Sequence, residues 1–206
     1  MVYLQLDEDY PELWKMGEIA SLIQQDGLGV IPTDTTYAYV CDMRSKSAVE
    51  RLYAIKKLNP KRPLSILCPN FSSLAKYTRG LSTSYFRAVR RCMQGPYTFI
   101  LKASGEVPRL MLRKRREIGI RVPDDEVCQA ILDEFDSPLL CSSVRTEDDS
   151  YWNEPAKIAE RHGKQLDFIV DGGIRLVDPS TVLDLTGRIP VIVREGKGDL
   201  DAFGVF

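Results

Sequence analysis

Two rhythms of apolar residues alternate along the chain. In residues 11–25, Leu13, Met16, Ile19, Ala20 and Ile23 recur at helical spacing, and Gly27 is placed to close the helix. Residues 47–58 repeat the pattern with Val49, Leu52, Tyr53 and Ile55, and residues 124–135 with Val127, Ile131 and Leu132. A shorter helix is predicted over 156–161, and Asn70 and Ser82 are placed as N-caps of two more. Between them lie short apolar or alternating runs that predict strands. These are Val30 with Ile31, then 64–68, 98–102, 118–122, 139–144, 168–170, 181–185 and 191–193. Residues 148–151 predict a polar loop. Helices interleaved with strands predict an α/β fold around a twisted sheet, with mixed strand directions because the last strands follow one another as in a hairpin.

The chain has 206 residues, 44% hydrophobic and 28% charged. That composition excludes disorder, collagen and coiled coil, and the length suits one domain over residues 1–206. No repeat or linker interrupts it. The longest uncharged run, 63–75, is too short to cross a bilayer, so no membrane partner is expected. The first ten residues carry Asp7, Glu8 and Asp9 and lack an apolar signal core. The five cysteines, none at C-x-x-C spacing, argue against a zinc site or a disulfide framework and suit a reducing compartment. The expected location is the cytoplasm, or an organelle interior if a transit peptide has been removed. A single histidine, His162, excludes mechanisms that need two. Its polar surroundings, A-E-R-H-G, predict an ordinary surface residue.

Charge is unevenly distributed. Residues 51–116 hold 16 Lys and Arg against one acid, Glu106, a net +15, while the remainder carries −16. Such a division predicts a polyanionic partner, a nucleoside triphosphate or RNA. Arg87, Arg90 and Arg91 share one helical face. Arg109 and Arg113 repeat the i, i+4 spacing and lead into Lys114, Arg115 and Arg116. Arginine forks match phosphate oxygens and stack on bases, which makes Arg87, Arg90, Arg91, Arg113 and Arg115 the candidate RNA contacts.

Other polar residues stand at strand ends. Arg121 is opposite in parity to Ile118, Ile120 and Val122, and Arg194 follows V-I-V in the same manner. With the apolar side of each strand turned to a core, each guanidinium points from the other face or the strand end, toward either a nearby acid of the chain or a carboxylate or phosphate pocket. The segment G-V-I-P-T-D-T-T-Y leaves a strand through a proline into hydroxyls and Asp34. Neither a P-loop nor G-x-G-x-x-G is present, so a phosphate site here needs side chains and strand-end amides.

Seven segments together give a resemblance. They are I-P-T-D-T-T-Y at 31–37, I-K-K-L-N-P-K-R-P-L at 55–64, G-P-Y-T-F-I-L at 95–101 and I-G-I-R-V-P at 118–123. L-L-C-S-S-V at 139–144, P-S-T-V at 179–182 and V-I-V-R-E-G at 191–196 complete the set. In this order and over nearly the whole chain, they resemble the YrdC-like family, which includes threonylcarbamoyl-AMP synthases. The resemblance implies a single-domain YrdC-like fold, a curved mixed sheet with helices around a large basic concave cavity. It implies nucleotidyltransferase chemistry in which ATP, L-threonine and bicarbonate give threonylcarbamoyl-AMP and pyrophosphate for tRNA modification. Mg²⁺ commonly assists such transfers.

By the same resemblance, Thr33 and Ser180 match positions that contact threonine, and Arg121 the one that holds its carboxylate. Lys56, Ser142 and Arg194 match positions that contact the ATP phosphates or the adenylate, with Lys56 and Arg194 stabilising the charge that develops in the reaction. The chain departs from the synthase pattern at five positions. Leu58 stands for an arginine, Val144 for an asparagine and Leu67 for a histidine, while Ala38 and Val40 replace glycines. These departures resemble the YciO-type branch and predict slow turnover through a weakened triphosphate site. The alternative is a non-catalytic module for tRNA or double-stranded RNA that keeps the basic cavity.

Overall fold

Side chains set where the helices begin. Ser45 Oγ accepts from the Ala48 amide at 3.2 Å and Asn70 Oδ1 from Ser73 at 2.9 Å. Ser82 Oγ accepts from Tyr85 at 3.3 Å and Asp125 Oδ1 from Cys128 at 2.9 Å. Each satisfies an amide that the first turn leaves without a partner. These caps start α2 (Lys46–Ile55), α3 (Phe71–Tyr77), α4 (Thr83–Arg91) and α5 (Glu126–Phe135). The caps expected at Asn70 and Ser82 are present. At the end of α1 (Met16–Gln24) the Gly27 amide donates to Leu22 O at 3.0 Å, and a Cβ on Gly27 would lie 2.5 Å from that oxygen. Only glycine allows so close a return.

The computed structural model describes residues 1–7, 10–59, 64–112 and 116–204. Its strands are β1 (Val2–Gln5), β2 (Gly29–Ile31), β3 (Ala38–Asp42), β4 (Ser65–Leu67) and β5 (Tyr97–Lys102), followed by β6 (Glu117–Arg121), β7 (Leu139–Ser143), β8 (Phe168–Asp171), β9 (Thr181–Asp184) and β10 (Val191–Arg194). Two later helices are α6 (Pro155–His162) and α7 (Leu200–Phe203). The strands form one sheet in the order β1-β8-β2-β3-β7-β4-β6-β5-β9-β10. Four pairings, β1–β8, β2–β8, β4–β6 and β5–β9, are parallel. The pairings β2–β3, β3–β7, β4–β7, β5–β6 and β9–β10 are antiparallel. The fold is therefore a mixed α/β single domain, as expected.

Strand alternation divides the interior into two cores. Val30, Tyr39, Cys41, Ile66, Leu140 and Ile169 face one side, with Leu52 of α2, Val89 of α4 and Ile158 of α6. Ile31, Val40, Leu67, Leu139, Phe168 and Val170 face the other, under Ile19 and Ile23 of α1 and Ile131 of α5. Ile118, Ile120 and Val122 belong to the first core, which leaves Arg121 on the opposite face, as its parity predicts. β10 departs from the expectation. Val191, Ile192 and Val193 are 56%, 39% and 55% exposed, and β10 is the edge of the sheet. Three elements were not anticipated: β1, β3 and α7. Among the described residues no helix is long and apolar enough to cross a membrane.

Candidate functional site

Over the β3–β7–β4–β6–β5–β9 part of the sheet lies a cleft of about 1910 Å³. Its lining includes Lys56, Lys57, Arg121, Arg145, Arg161, Lys164 and Arg194, with Glu117, Glu147, Asp149 and Asp184 as acids, so basic groups prevail. Thr33, Lys56, Arg121, Ser142, Ser180 and Arg194 all line this one cleft although they come from six separate segments.

Arg121, at the end of β6, is 7% exposed. Its Nη1 donates to Thr35 Oγ1 at 2.6 Å and its Nη2 to Asp34 Oδ1. Nε of Arg121 and Oδ2 of Asp34 are buried without a partner among the described residues. Pro32 turns the chain out of β2, and Thr33 Oγ1 then donates to Thr36 O at 2.7 Å and accepts from the Thr35 and Thr36 amides at 3.2 Å. Thr33 thus spends its hydroxyl on shaping the loop that presents Thr35 and Asp34 to Arg121. A further clamp comes from Lys197, whose Nζ donates to Asp34 O at 2.8 Å.

Ser180, just before β9, shares a hydrogen bond of 2.8 Å with Thr98 Oγ1. Arg194 donates from Nε and Nη2 to Ser180 O at 3.0 and 2.7 Å, and from Nη1 to the Tyr151 hydroxyl at 3.1 Å. All these acceptors are neutral. Burial lowers the Arg194 pKa, and the Arg145 and Arg121 charges lower it further. Lys56, which caps the end of α2, donates to Ser143 O and lies 5.7 Å from the Tyr39 ring centroid.

His162 corrects a sequence expectation. It is half-buried, lines the cleft and meets Tyr39 edge-on with ring centroids 6.0 Å apart. Burial lowers its pKa, and the neighbouring Arg161 adds to that. Val144 belongs to the core. It is fully buried in the first core and does not line the cleft, whereas Leu58 and Leu67 do. Cys141 also borders the cleft, and burial pushes its thiol up to about 12. Sequence reasoning missed Arg145, Tyr151 and Trp152, and the role of Asp34. Among the described residues, no group of three or more His, Cys, Asp or Glu side chains is arranged to hold a metal ion.

Outside the cleft, Arg87 and Arg90 are exposed on α4. Arg91 is exposed on the same helix, and its Nε and Nη2 donate to Ala202 O at 3.1 Å and Phe203 O at 2.6 Å, tying down α7. The candidates Arg113 and Arg115 lie outside the described residues.

Known sequences and structures resemble this chain in sequence and fold. The family model for Sua5, YciO and YrdC sequences, described as "Telomere recombination", matches residues 21–196. The chain belongs to the Sua5/YciO/YrdC family. The YciO protein of Escherichia coli (strain K12) is 35% identical over 203 residues, 98% of either chain. The E. coli YciO crystal structure superposes with a TM-score of 0.90 over 98% of both chains. A threonylcarbamoyl-AMP synthase of Pyrococcus abyssi is 27% identical over 90% of this chain and 55% of its own length. The structure of P. abyssi Sua5 complexed with L-threonine matches at 25% identity and a TM-score of 0.85, over 95% of this chain and 57% of that one. Within the Sua5/YciO/YrdC family the chain is thus similar over its full length to YciO, and more distantly to the synthases.

Proposed function

We propose that this member of the Sua5/YciO/YrdC family carries out threonylcarbamoyl-AMP synthase-type chemistry on ATP, L-threonine and bicarbonate. The observation that carries the reading is the buried Arg121 guanidinium with an unsatisfied Nε, in the same cleft as an Arg194 whose hydrogen-bond partners are all neutral. Phosphates at Arg194 supply an anion that its neutral partners do not, while Arg121, already paired with Asp34, adds its charge to the cleft wall where a carboxylate binds. Similarity to the P. abyssi synthase, and to Sua5 complexed with L-threonine, supports the same substrate.

In this reading Arg121 holds the threonine carboxylate, next to the Thr33 loop and Ser180. The threonine amine adds to CO2 derived from bicarbonate and loses a proton, giving a carbamate. A carbamate oxygen then attacks the α-phosphorus of ATP, and the bond to the bridging oxygen breaks to release pyrophosphate. Lys56, Arg194 and the Ser142 hydroxyl stabilise the phosphoryl charge. Mg²⁺ arrives with the ATP as counter-ion of its phosphates, which suits a cleft that offers scattered rather than grouped acids. Leu58, where the synthase pattern has an arginine, leaves the triphosphate less charge to meet, so turnover is slow.

The deciding experiment is incubation with ATP, threonine and bicarbonate, following pyrophosphate and the adenylate by mass spectrometry. The expected product depends on both threonine and bicarbonate. A protein that releases pyrophosphate equally without them, or not at all, overturns the proposal. One further observation favours an RNA partner: Arg87 and Arg90 are exposed with no ion-pair partner among the described residues. tRNA on that helix face fits the same pathway as recipient of the activated group, and fits equally a module that binds RNA without turnover.

A further inference from the structure

Two guanidinium groups of the cleft meet on one neutral oxygen. The Tyr151 hydroxyl accepts from Arg145 Nη2 at 2.7 Å and from Arg194 Nη1 at 3.1 Å. Arg145 also lies over the Tyr151 ring, its guanidinium carbon 4.5 Å from the centroid. The turn that carries both residues is fixed at its ends, by a bridge between Arg145 and Tyr151 and by the Thr146 amide donating to Ser150 O at 2.9 Å.

Like charges converging on a neutral phenol repel each other, and partial burial strengthens the repulsion. Arg194 has no carboxylate partner among the described residues. Arg145 has one, Asp149, but that side chain is 80% exposed, so water screens the pair and a stronger anion can replace it. The arrangement is thus short of negative charge at the point where the two forks meet.

We infer that Arg145 and Arg194 form a diphosphate clamp, with Arg145 a direct ligand and Tyr151 a positioning residue that holds both forks. Two guanidinium groups offer two planar sets of donors, and the oxygens of two adjacent phosphoryl groups can engage both forks fully. The ligand is inorganic pyrophosphate or the β,γ-diphosphate of a nucleoside triphosphate. The inference rests on the nucleotide reading of the cleft given above and adds a residue that the motif at 139–144 does not contain. It also offsets part of the charge lost at Leu58.

The test is calorimetric titration of the wild type, Arg145→Ala, Arg145→Lys and Tyr151→Phe with pyrophosphate, ATP, AMP and threonine. Arg145→Ala is expected to weaken pyrophosphate and ATP at least tenfold and to leave AMP and threonine within twofold. Loss of pyrophosphate with retention of ATP marks the free diphosphate as the ligand; loss of both marks the triphosphate tail. Arg145→Lys recovers only part, because an ammonium lacks the fork. Tyr151→Phe weakens both diphosphate ligands without moving threonine. Equal pyrophosphate and ATP affinities in the wild type and Arg145→Ala overturn the clamp, as does an equal loss for AMP. A wild type that binds neither pyrophosphate nor ATP also overturns it. A wild type that fails to bind threonine while the Arg145 differences hold removes the synthase reading and leaves the clamp standing.

Discussion

Arg121 and Asp34 form a buried ion pair in which, among the described residues, each partner keeps one unsatisfied atom, Nε on the arginine and Oδ2 on the aspartate. Both side chains are 8% exposed. A buried pair of this kind is costly to break from one side, because the remaining charge is left alone. It also holds the guanidinium in place at the wall of the cleft.

Arg121→Ala is therefore expected to do two separable things. It should cost roughly 3–5 kcal/mol of stability, the usual penalty for stranding one charge of a buried pair. It should also weaken threonine by about 2 kcal/mol or more, as for other lost hydrogen bonds to charged groups. Adding Asp34→Ala should restore most of the stability in urea unfolding and none of the threonine affinity in calorimetry. Unchanged threonine affinity in the double variant would remove Arg121 from the substrate site.

Arg121 was legible in the sequence because its parity against Ile118, Ile120 and Val122 is a local signal. Its partner was not, since Asp34 lies 87 residues away. β3 was hidden for a related reason. Ala38, Tyr39, Val40 and Cys41 are all buried on a central strand covered on both faces, so no alternation shows. β1 owes its place to parallel pairing with β8, which nothing local announces. His162 misled because its sequence neighbours are polar, whereas its burial comes from Tyr39, far away in the chain. The strand-end cations, the caps and the family motifs were thus readable; the long-range pairs that assemble the cleft were not.

His162 also predicts a pH dependence. Its folded pKa lies below the ordinary value of 6.5, so the unfolded chain takes up a proton first as pH falls. Stability contributed by neutral His162 is present above pH 6.5 and is lost from there downward, toward the lower folded pKa. His162→Phe should flatten the stability–pH curve in that window while leaving the edge contact with Tyr39. An unchanged slope between wild type and variant below pH 6.5 would place the acid sensitivity elsewhere.

The three arginines of α4 should separate into two kinds. Charge reversal at Arg87 and Arg90 should weaken tRNA binding, which itself should fall steeply with salt. Neither change should alter the melting temperature by much, because both side chains are exposed. Arg91→Glu should lower the melting temperature, since it removes the donors to Ala202 O and Phe203 O and loosens Phe203 from the core. Salt-independent tRNA binding, or none at low salt, would leave the +15 segment without this role.

Leu58 and Val144 differ in a way that makes the weakened triphosphate site testable one residue at a time. Leu58 is partly buried and lines the cleft, so Leu58→Arg can extend its guanidinium toward the ligand with its stem against the core. Val144 is fully buried among apolar residues, and its amide and carbonyl are already used by Tyr37 O and the Trp152 amide. Val144→Asn would bury an unpaired amide at about 1–3 kcal/mol, besides the packing it loses. Leu58→Arg is thus expected to raise threonylcarbamoyl-AMP formation and lower the KM for ATP at unchanged stability, and Val144→Asn to lower stability with no gain in rate. A Leu58→Arg variant that folds, binds ATP no better than wild type and forms product no faster would show that the missing arginine is not what limits this cleft.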